Sequence, residues 1–169
     1  MIGNIEHSSF VDPDSWEKLT NWSDTVFPIE GRRYLWSKPR WHLIAYDSQN
    51  QPIGHLGYNI FKVFFNDEER FVIGIGGVVV VPRYQGQRLP QALFKELDKV
   101  LNPPGMPMLK TLFCPFRLTS YYARHGYFEA ACPVNIIQLD SSAHIENFTF
   151  MGSESLSDIH SIKLTTPPW

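Results

Sequence analysis

The chain has 169 residues, the size of one domain with one hydrophobic core. Hydrophobic residues make up 43% of it and charged residues 19%, which excludes wholesale disorder, and the net charge of −2 gives no case for nucleic-acid binding. No apolar run approaches the roughly 20 residues that cross a bilayer, and the N-terminus lacks a basic region followed by an apolar one. We therefore expect a single domain over residues 1–169 that is soluble and cytoplasmic, with neither nucleic acid nor membrane as a partner.

The first half of the chain predicts one helix and a meander of strands. Asp12-Pro13-Asp14-Ser15 is a helix-start signal, and apolar residues at helical spacing extend the predicted helix to Pro28. Residues 30–40 have no clear period and predict a loop that borders the substrate site. Three apolar stretches separated by polar turns then predict an antiparallel meander. They are residues 41–47, 53–65 and 70–81.

Residues 76–90 place a short polar, glycine-containing loop between an apolar strand and a helix. Leucines recur at i, i+4 spacing from Leu89 onward, Pro90 suits the first helical turn, and the predicted helix ends near residues 102–105. N–H groups at a helix start have no intrahelical partner and carry the positive end of the macrodipole. The loop therefore predicts a phosphate site, for which a pyrophosphate-bearing cofactor is the natural ligand. An ordinary strand–turn–helix connection without a ligand is the alternative.

The second half predicts the rest of a mixed sheet. Residues 108–114 predict a strand after the helix, and a right-handed crossover lays it parallel to the strand that ends at Val81. Residues 127–140 and 158–165 predict two further strands. The predicted fold class is α/β with a mixed sheet, in which an antiparallel meander is followed by a helix crossover to a parallel, splayed strand.

The charges are unevenly distributed along the chain. Seven Lys or Arg residues and two acidic residues lie between Arg83 and Arg124, whereas residues 133–169 contain four acidic residues and Lys163 as the single Lys or Arg. A basic middle suits a phosphate-rich cofactor, and an acidic C-terminal region suits a cationic amine. Ordinary solvated surface is the alternative interpretation.

The loop sequence carries a family signature. Val80-Val81-Pro82 and Gln85-Gly86-Gln87-Arg88-Leu89-Pro90 stand at the positions of V-x-P, two residues, then Q/R-G-x-G-x-G/A. This pattern resembles the GNAT superfamily of acyl-CoA-dependent N-acyltransferases, and the Q-G-Q-R-L stretch is most similar to the aminoglycoside 2′-N-acetyltransferase branch. Arg88 replaces the usual glycine. Pro90 replaces the usual glycine or alanine, and it removes one amide N–H from the loop.

The resemblance implies acetyl-CoA, or another acyl-CoA, as co-substrate and no metal. It implies direct acyl transfer to a primary amine of a small molecule, and the branch similarity suggests an aminoglycoside-like amine. A homodimer is left open, as is transfer of a longer acyl chain. In the family, a strand end pairs with the pantetheine arm and the loop amides hold the pyrophosphate. The residues at those positions are Val78, Val79, Val80, Gln85, Gly86, Gln87, Arg88, Leu89 and Pro90.

Ser120–Tyr127 resembles a second family segment, Y-x-x-x-G-[FYW], in which Tyr122 is the aligned tyrosine. In the family this tyrosine commonly protonates the departing CoA thiolate, which is a suitable task for a phenol. The alternative is that Tyr121 and Tyr122 pack a short helix that Gly126 terminates in the left-handed conformation. We predict Tyr122 to be catalytic.

The glutamate that serves as general base in the aminoglycoside branch falls at Gly76, so the base must be another residue. His55 and Glu69 are possible substitutes. That branch also ends in a tryptophan whose terminal carboxylate reaches the amine, so the Trp169 carboxylate is a candidate, with the filling of an apolar gap as the alternative. The predicted catalytic residues are Tyr122, His55 and Trp169. A non-catalytic acyl-CoA sensor or interaction module is the competing function.

Overall fold

The computed structural model describes residues 2–101, 108–139 and 141–169, except for the side chain of Glu30. The fold is mixed α/β, as the sequence predicted. The chain forms two compact units. The first comprises residues 2–27, 39–59 and 76–101, and the second comprises residues 28–38, 60–75, 108–139 and 141–169. The expectation of a single domain stays a prediction. Among the described residues, no helix combines the length and the apolar character that a membrane span requires.

The described part of the first unit contains two complete strands, parts of two more and two α-helices. The strand β1 pairs antiparallel with β2, which pairs antiparallel with β3. The apolar stripe of α2 is buried at Leu89, Leu93 and Leu97, as the leucine spacing predicted. The elements are β1 (Ile2–Ser8), α1 (Pro13–Thr20), β2 (Trp41–Asp47), the first part of β3 (Pro52–Phe65), the last part of β4 (Glu68–Val80) and α2 (Leu89–Leu101).

Helix α1 begins where the sequence indicated and is shorter than predicted. The Asp12 side chain accepts a 2.9 Å hydrogen bond from the backbone N–H of Ser15. The helix ends at Thr20. Trp22 donates its indole N–H to the carbonyl oxygen of Leu19 at 2.7 Å, which satisfies a carbonyl that continued helix would have bonded. The predicted extension to Pro28 was therefore wrong. The predicted end of α2 near residues 102–105 lies outside the described residues.

The second unit has the strand order β6-β9-β5-β4-β3-β10-β7-β8. Parallel pairing of β4 with β5 joins Ile73–Ile75 to Lys110–Leu112, so the predicted parallel crossover is confirmed. The turn at Asn66 and Asp67 connects β3 to β4, with positive φ at both residues. The added elements are β5 (Lys110–Pro115), α3 (Thr119–Ala123), β6 (Phe128–Glu129), β7 (Val134–Gln138), β8 (Ser141–His144), β9 (Phe148–Gly152) and β10 (Ile162–Leu164).

Two of the later strands differ from the prediction. The stretch 127–140 is interrupted between β6 and β7, where Pro133 offers no N–H for a strand ladder. Strand β9 lies between β5 and β6, and it pairs antiparallel with both. The last strand lies within the predicted stretch 158–165 but is restricted to three residues, where β10 pairs with β3 and β7.

Candidate functional site

The strand end and loop that the sequence singled out form one continuous piece of the first unit. Val79 is buried at 4% exposure, whereas Val78 and Val80 are half-buried. Val80 ends β4, and its carbonyl oxygen accepts a 3.1 Å hydrogen bond from the side-chain amide of Gln85. Gln87 donates its side-chain amide to the carbonyl oxygen of Arg83 at 2.9 Å. Both glutamines therefore bond to carbonyls of their own segment and stabilise the loop of residues 85–88.

The loop 85–88 offers a run of unbonded backbone donors where α2 begins. The N–H groups of Gly86, Gln87, Arg88 and Leu89 have no acceptor in the described part of the chain, and the first bond into the helix is from Ala92 N–H to the Arg88 carbonyl at 3.2 Å. Gly86 and Arg88 have φ of 76° and 60°, so the loop contains two left-handed residues, and backbone turns of this kind form anion-binding concavities in proteins. Such amides at the start of a 13-residue helix fit a phosphate or pyrophosphate. Pro90 contributes no donor.

Arg88 adopts the left-handed conformation at the position where the family pattern has glycine. Its φ of 60° costs a residue with a Cβ roughly 1–2 kcal/mol relative to the right-handed region. The loop therefore keeps the backbone shape that a glycine would favour. The departure from the family pattern changes the side chain and adds strain, while the positive φ remains.

A buried carboxylate connects the β2–β3 turn to the residues before the loop. Asp47 accepts a 2.6 Å hydrogen bond from the Tyr84 hydroxyl and lies 3.4 Å from the guanidinium of Arg83. Its other oxygen accepts 2.9 Å bonds from the backbone N–H groups of Gln49 and Gln51. The Tyr84 bond, more than any other contact, holds the pKa of Asp47 below its ordinary value. One side chain thus fixes both a hairpin turn and the approach to the loop 85–88.

His55 lies inside the first unit with both ring nitrogens engaged. Its exposure is 0%, Nδ1 lies 2.7 Å from the Gly77 carbonyl oxygen, and Nε2 lies 2.9 Å from Nδ1 of His42. The edge of Trp16 packs against the ring at a centroid distance of 5.2 Å. Burial lowers the pKa of His55 to about 4, against the opposing effect of the Gly77 bond. His55 is therefore neutral at neutral pH.

His42 is the site residue that sequence reasoning missed. It is half-buried, and burial lowers its pKa below the ordinary value. The predicted antiparallel pairing of β2 with β3 could have identified His42. This pairing places His42 opposite Gly57, and His55 is the next residue on the same face of β3. The other candidate base, Glu69, is an exposed partner of Lys62 at 3.0 Å.

Tyr122 lies in the second unit on the short helix α3. It is 8% exposed, and its ring makes edge contacts with Tyr121 and Tyr127 at centroid distances of 5.2 and 6.1 Å. Gly126, at φ 82°, follows the helix in the left-handed conformation that the packing alternative predicted. Burial is the main cause that raises the pKa of Tyr122, so the phenol keeps its proton throughout the neutral range. A buried protonated phenol is compatible with packing and with proton donation.

Trp169 also belongs to the second unit, where its indole fills the core as the apolar-gap alternative predicted. The ring stacks on Phe61 at a centroid distance of 4.3 Å and meets Phe113 edge-on at 5.5 Å. Its N–H donates to the Thr111 carbonyl at 3.3 Å. A Cβ added to Gly74 would lie 2.6 Å from the indole, so the strand and the ring approach closely. The role predicted for the Trp169 carboxylate stays a prediction.

The predicted residues thus fall into two groups. The first unit brings together the strand end, the loop 85–88 and His55, since Gly77, which bonds to His55, directly precedes Val78 in β4. The second unit contains Tyr122 and Trp169. The first group is connected through the bond between His55 and Gly77, whereas Tyr122 and Trp169 each pack against aromatic residues of the second unit.

A family model described as an acetyltransferase (GNAT) domain matches residues 9–130. Three similar solved structures are Escherichia coli ElaA (12% identity, 91% of this chain and 100% of that chain, TM-score 0.58), E. coli YhbS, a GNAT family N-acetyltransferase in complex with CoA (18%, 95% and 88%, 0.55), and an acyl-CoA N-acyltransferase from Pseudomonas aeruginosa (18%, 91% and 100%, 0.55). At these identities the likeness concerns the fold. No curated protein matches the chain.

Proposed function

Because the chain belongs to the GNAT acetyltransferase family, we propose that it transfers an acetyl group from acetyl-CoA directly to a primary amine of a small molecule. The observation that carries this proposal is the run of unbonded N–H groups from Gly86 to Leu89 at the start of α2. Such a run binds a phosphate without requiring any side chain. Because the family uses a pyrophosphate-bearing thioester, we assign the pyrophosphate as the ligand of these N–H groups.

We assign the cofactor contacts to residues on one continuous segment. The amides of the loop 85–88 and of Leu89 would hold the pyrophosphate. The backbone of Val78, Val79 and Val80 would pair with the pantetheine arm as an added strand does, with an amide N–H polarising the thioester carbonyl. Arg88 is exposed beside these amides, where its charge favours the same anion. Binding therefore depends mainly on backbone geometry. A substitution at Arg88 can test the proposed site, because the Arg88 side chain lies beside these amides.

The reaction needs two proton movements. The lone pair of the amine forms the C–N bond with the acetyl carbonyl carbon, the C–S bond breaks, and its electron pair remains on sulfur. The nitrogen loses a proton to a base, and sulfur gains one from an acid. We assign the acid role to Tyr122, since burial keeps its phenol protonated. Acetyl-CoA supplies the activated acyl group.

Calorimetric titration of the purified protein with acetyl-CoA, with desulfo-CoA and ADP as controls, tests the binding step. We expect micromolar affinity that requires the pantetheine arm. Arg88→Glu should weaken binding about tenfold or more, because it places a carboxylate beside the anion site. Lys99→Glu makes the same charge change in the last turn of α2 and should leave the affinity unchanged. Equal losses in both variants, or no binding by the wild-type chain, would contradict the proposal.

Turnover separates an enzyme from a sensor. Release of CoA from acetyl-CoA is followed with spermidine, kanamycin and a lysine-containing peptide as amines of different class. Acetylation of any of them supports the transferase, and a preference for kanamycin would favour the aminoglycoside-like substrate. Binding of acetyl-CoA without acetylation of any of these amines would favour the competing function, a non-catalytic acyl-CoA sensor.

A further inference from the structure

Two histidines form a hydrogen-bonded chain whose proton positions follow from one fixed acceptor. The Gly77 carbonyl oxygen, 2.7 Å from Nδ1 of His55, can only accept, so His55 has its proton on Nδ1 and a lone pair on Nε2. That lone pair lies 2.9 Å from Nδ1 of His42, which must then be the donor. The neutral His42 ring is left with a lone pair on Nε2. This nitrogen has no hydrogen-bond partner in the described part of the chain.

We propose that Nε2 of His42 takes the proton from the acceptor amine, and that His55 is a positioning residue that fixes the ring and tautomer of His42. This inference rests on the proposed acetyltransferase function. His55 has 0% exposure and no free ring nitrogen, whereas His42 is half-buried. Of the two rings, His42 is therefore the one with solvent exposure. The arrangement follows the general pattern of a base that a second group orients through its other ring nitrogen.

The chain of bonds ends on the strand to which we assign the thioester. Gly77, whose carbonyl holds His55, directly precedes Val78 in β4, and Val78 begins the backbone segment proposed for the pantetheine arm. His42 is thus two hydrogen bonds away from that segment, and all these residues belong to the first unit. A shift of β4 on binding would act on His42 through His55.

The proton balance is simple. As the amine nitrogen forms its bond to the acyl carbon, its N–H proton passes to Nε2 of His42, and the electron pair of that N–H bond stays on nitrogen. His42 becomes an imidazolium that still donates through Nδ1 to His55, and this bond stabilises the new charge. Water then removes the proton from His42. Sulfur receives its proton separately, from Tyr122 in the proposed reaction.

The proposal predicts a pH dependence, so the titratable surroundings of His42 matter. Burial lowers the pKa of His42, and the deeper burial of His55 keeps that ring neutral. Several other ionisable side chains lie on the elements around the pair. They include Glu6 and His7 of β1, Asp12 and Glu17 in and before α1, Arg40 before β2, Tyr46 of β2 and Tyr58 of β3. Because the base must be neutral, activity should fall with decreasing pH through a midpoint below the ordinary value of 6.5.

Long-range ¹H–¹⁵N spectra of the imidazole rings test the tautomers without any substrate. At pH 7 we expect both His42 and His55 to carry the proton on Nδ1. His42→Asn keeps an N–H donor near the Nδ1 position, so the spectrum of His55 should be retained. A proton on Nε2 of His42 in the wild-type protein would overturn the assignment.

Kinetics with the best amine of the panel test the role itself. His42→Asn should lower kcat/KM by about 100-fold or more and abolish the acid limb of the pH profile, with melting temperature and acetyl-CoA affinity nearly unchanged. Added imidazole should restore part of the rate of His42→Gly, which a structural role does not predict. His55→Asn keeps a donor to Gly77 but removes the acceptor for His42, so it should move the acid limb to lower pH.

The outcomes distinguish the two proposals. If the wild-type protein acetylates an amine and His42→Asn does so at the same rate and with the same acid limb, the His42 assignment is wrong and the acetyltransferase function stands. If the wild-type protein binds acetyl-CoA and acetylates no amine, the proposed enzymatic function fails and the His42 assignment fails with it.

Discussion

The hydroxyl of Tyr84 donates a 2.6 Å hydrogen bond to Asp47, so the last residue of β2 holds the segment that leads into the loop 85–88. The same carboxylate accepts two backbone N–H bonds from its own turn. A substitution at Asp47 should therefore weaken binding at the proposed phosphate site, although Asp47 itself would not contact the ligand.

Asp47→Asn and Tyr84→Phe should each weaken acetyl-CoA binding by roughly two- to tenfold, because the first removes the charged acceptor of this hydrogen bond and the second removes its donor. The double variant should lose little more than either single one, since the two residues act through one contact. Calorimetry of the three variants measures this coupling. Lys163→Ala, at an exposed site on β10, is the control. Independent, additive losses would exclude the proposed connection.

Arg88→Gly should give a higher free energy of unfolding than Arg88→Ala by about 1 kcal/mol, because only glycine adopts a φ of 60° without a steric cost. Both variants lack the guanidinium, so their difference isolates the backbone. Urea denaturation of the two proteins provides the measurement. Equal stabilities would mean that the loop 85–88 stores no strain at this position.

Tyr122→Phe should lower turnover by about tenfold or more while leaving acetyl-CoA affinity and melting temperature nearly unchanged, because it removes one proton donor and keeps the ring in place. The neighbouring Tyr121→Phe removes a hydroxyl from the same helix and should retain the wild-type rate. If Tyr122→Phe keeps the wild-type turnover rate, as Tyr121→Phe should, Tyr122 has no part in the chemistry and its role is packing.

The free energy of unfolding should fall as the pH decreases from 6.5 to about 4, because burial lowers the pKa of His55 in the folded protein to about 4. Between these pH values the unfolded chain binds a proton that the native His55 excludes, so the contribution is complete above pH 6.5 and lost below about 4. Its full size is on the order of 3 kcal/mol. Urea denaturation at several pH values measures the slope of the free energy of unfolding against pH. This slope should be smaller for His55→Asn than for the wild-type protein, and an unchanged slope would contradict this account.

Gly74→Ala should destabilise the protein by about 1–3 kcal/mol, because the added Cβ would lie 2.5 Å from Phe61 and 2.6 Å from the indole of Trp169. Trp169→Ala alone should cost about 3–5 kcal/mol through the cavity that it leaves. The double variant should cost less than the sum, since the smaller residue makes room for the new methyl group. Additive costs, measured by urea denaturation, would show that the two positions do not compete for space.

The parts of the fold that the sequence predicted well have a strong local pattern. The leucine spacing predicted α2, and alternation between polar turns predicted β2, β3 and most of β4. By contrast, β1 has no buried residue and β8 is mostly exposed, so neither has the apolar alternation that indicates a strand. Strand β9 is buried throughout, and its place between β5 and β6 depends on partners distant in sequence.

The candidate site shows the same division. The loop motif and the first helical turn could be predicted because they depend on neighbouring residues. The sequence named His55 as a candidate base, but the contacts of its ring nitrogens could not be predicted from it. His42 gains significance only through one of those contacts. Strand register was the missing step, since it places His42 and His55 on one face.

The sheet of the second unit has a consequence for how the chain folds. Strand β5 is paired with β9, which follows almost forty residues later, and β3 is completed by β10, about a hundred residues further along. Pairings of this sequence separation close large loops before they gain stabilising contacts, and they slow folding. The meander of the first unit joins neighbouring strands, so it can form early. In a chain of this topology, we expect the pairings of the second unit to limit the folding rate and to form last.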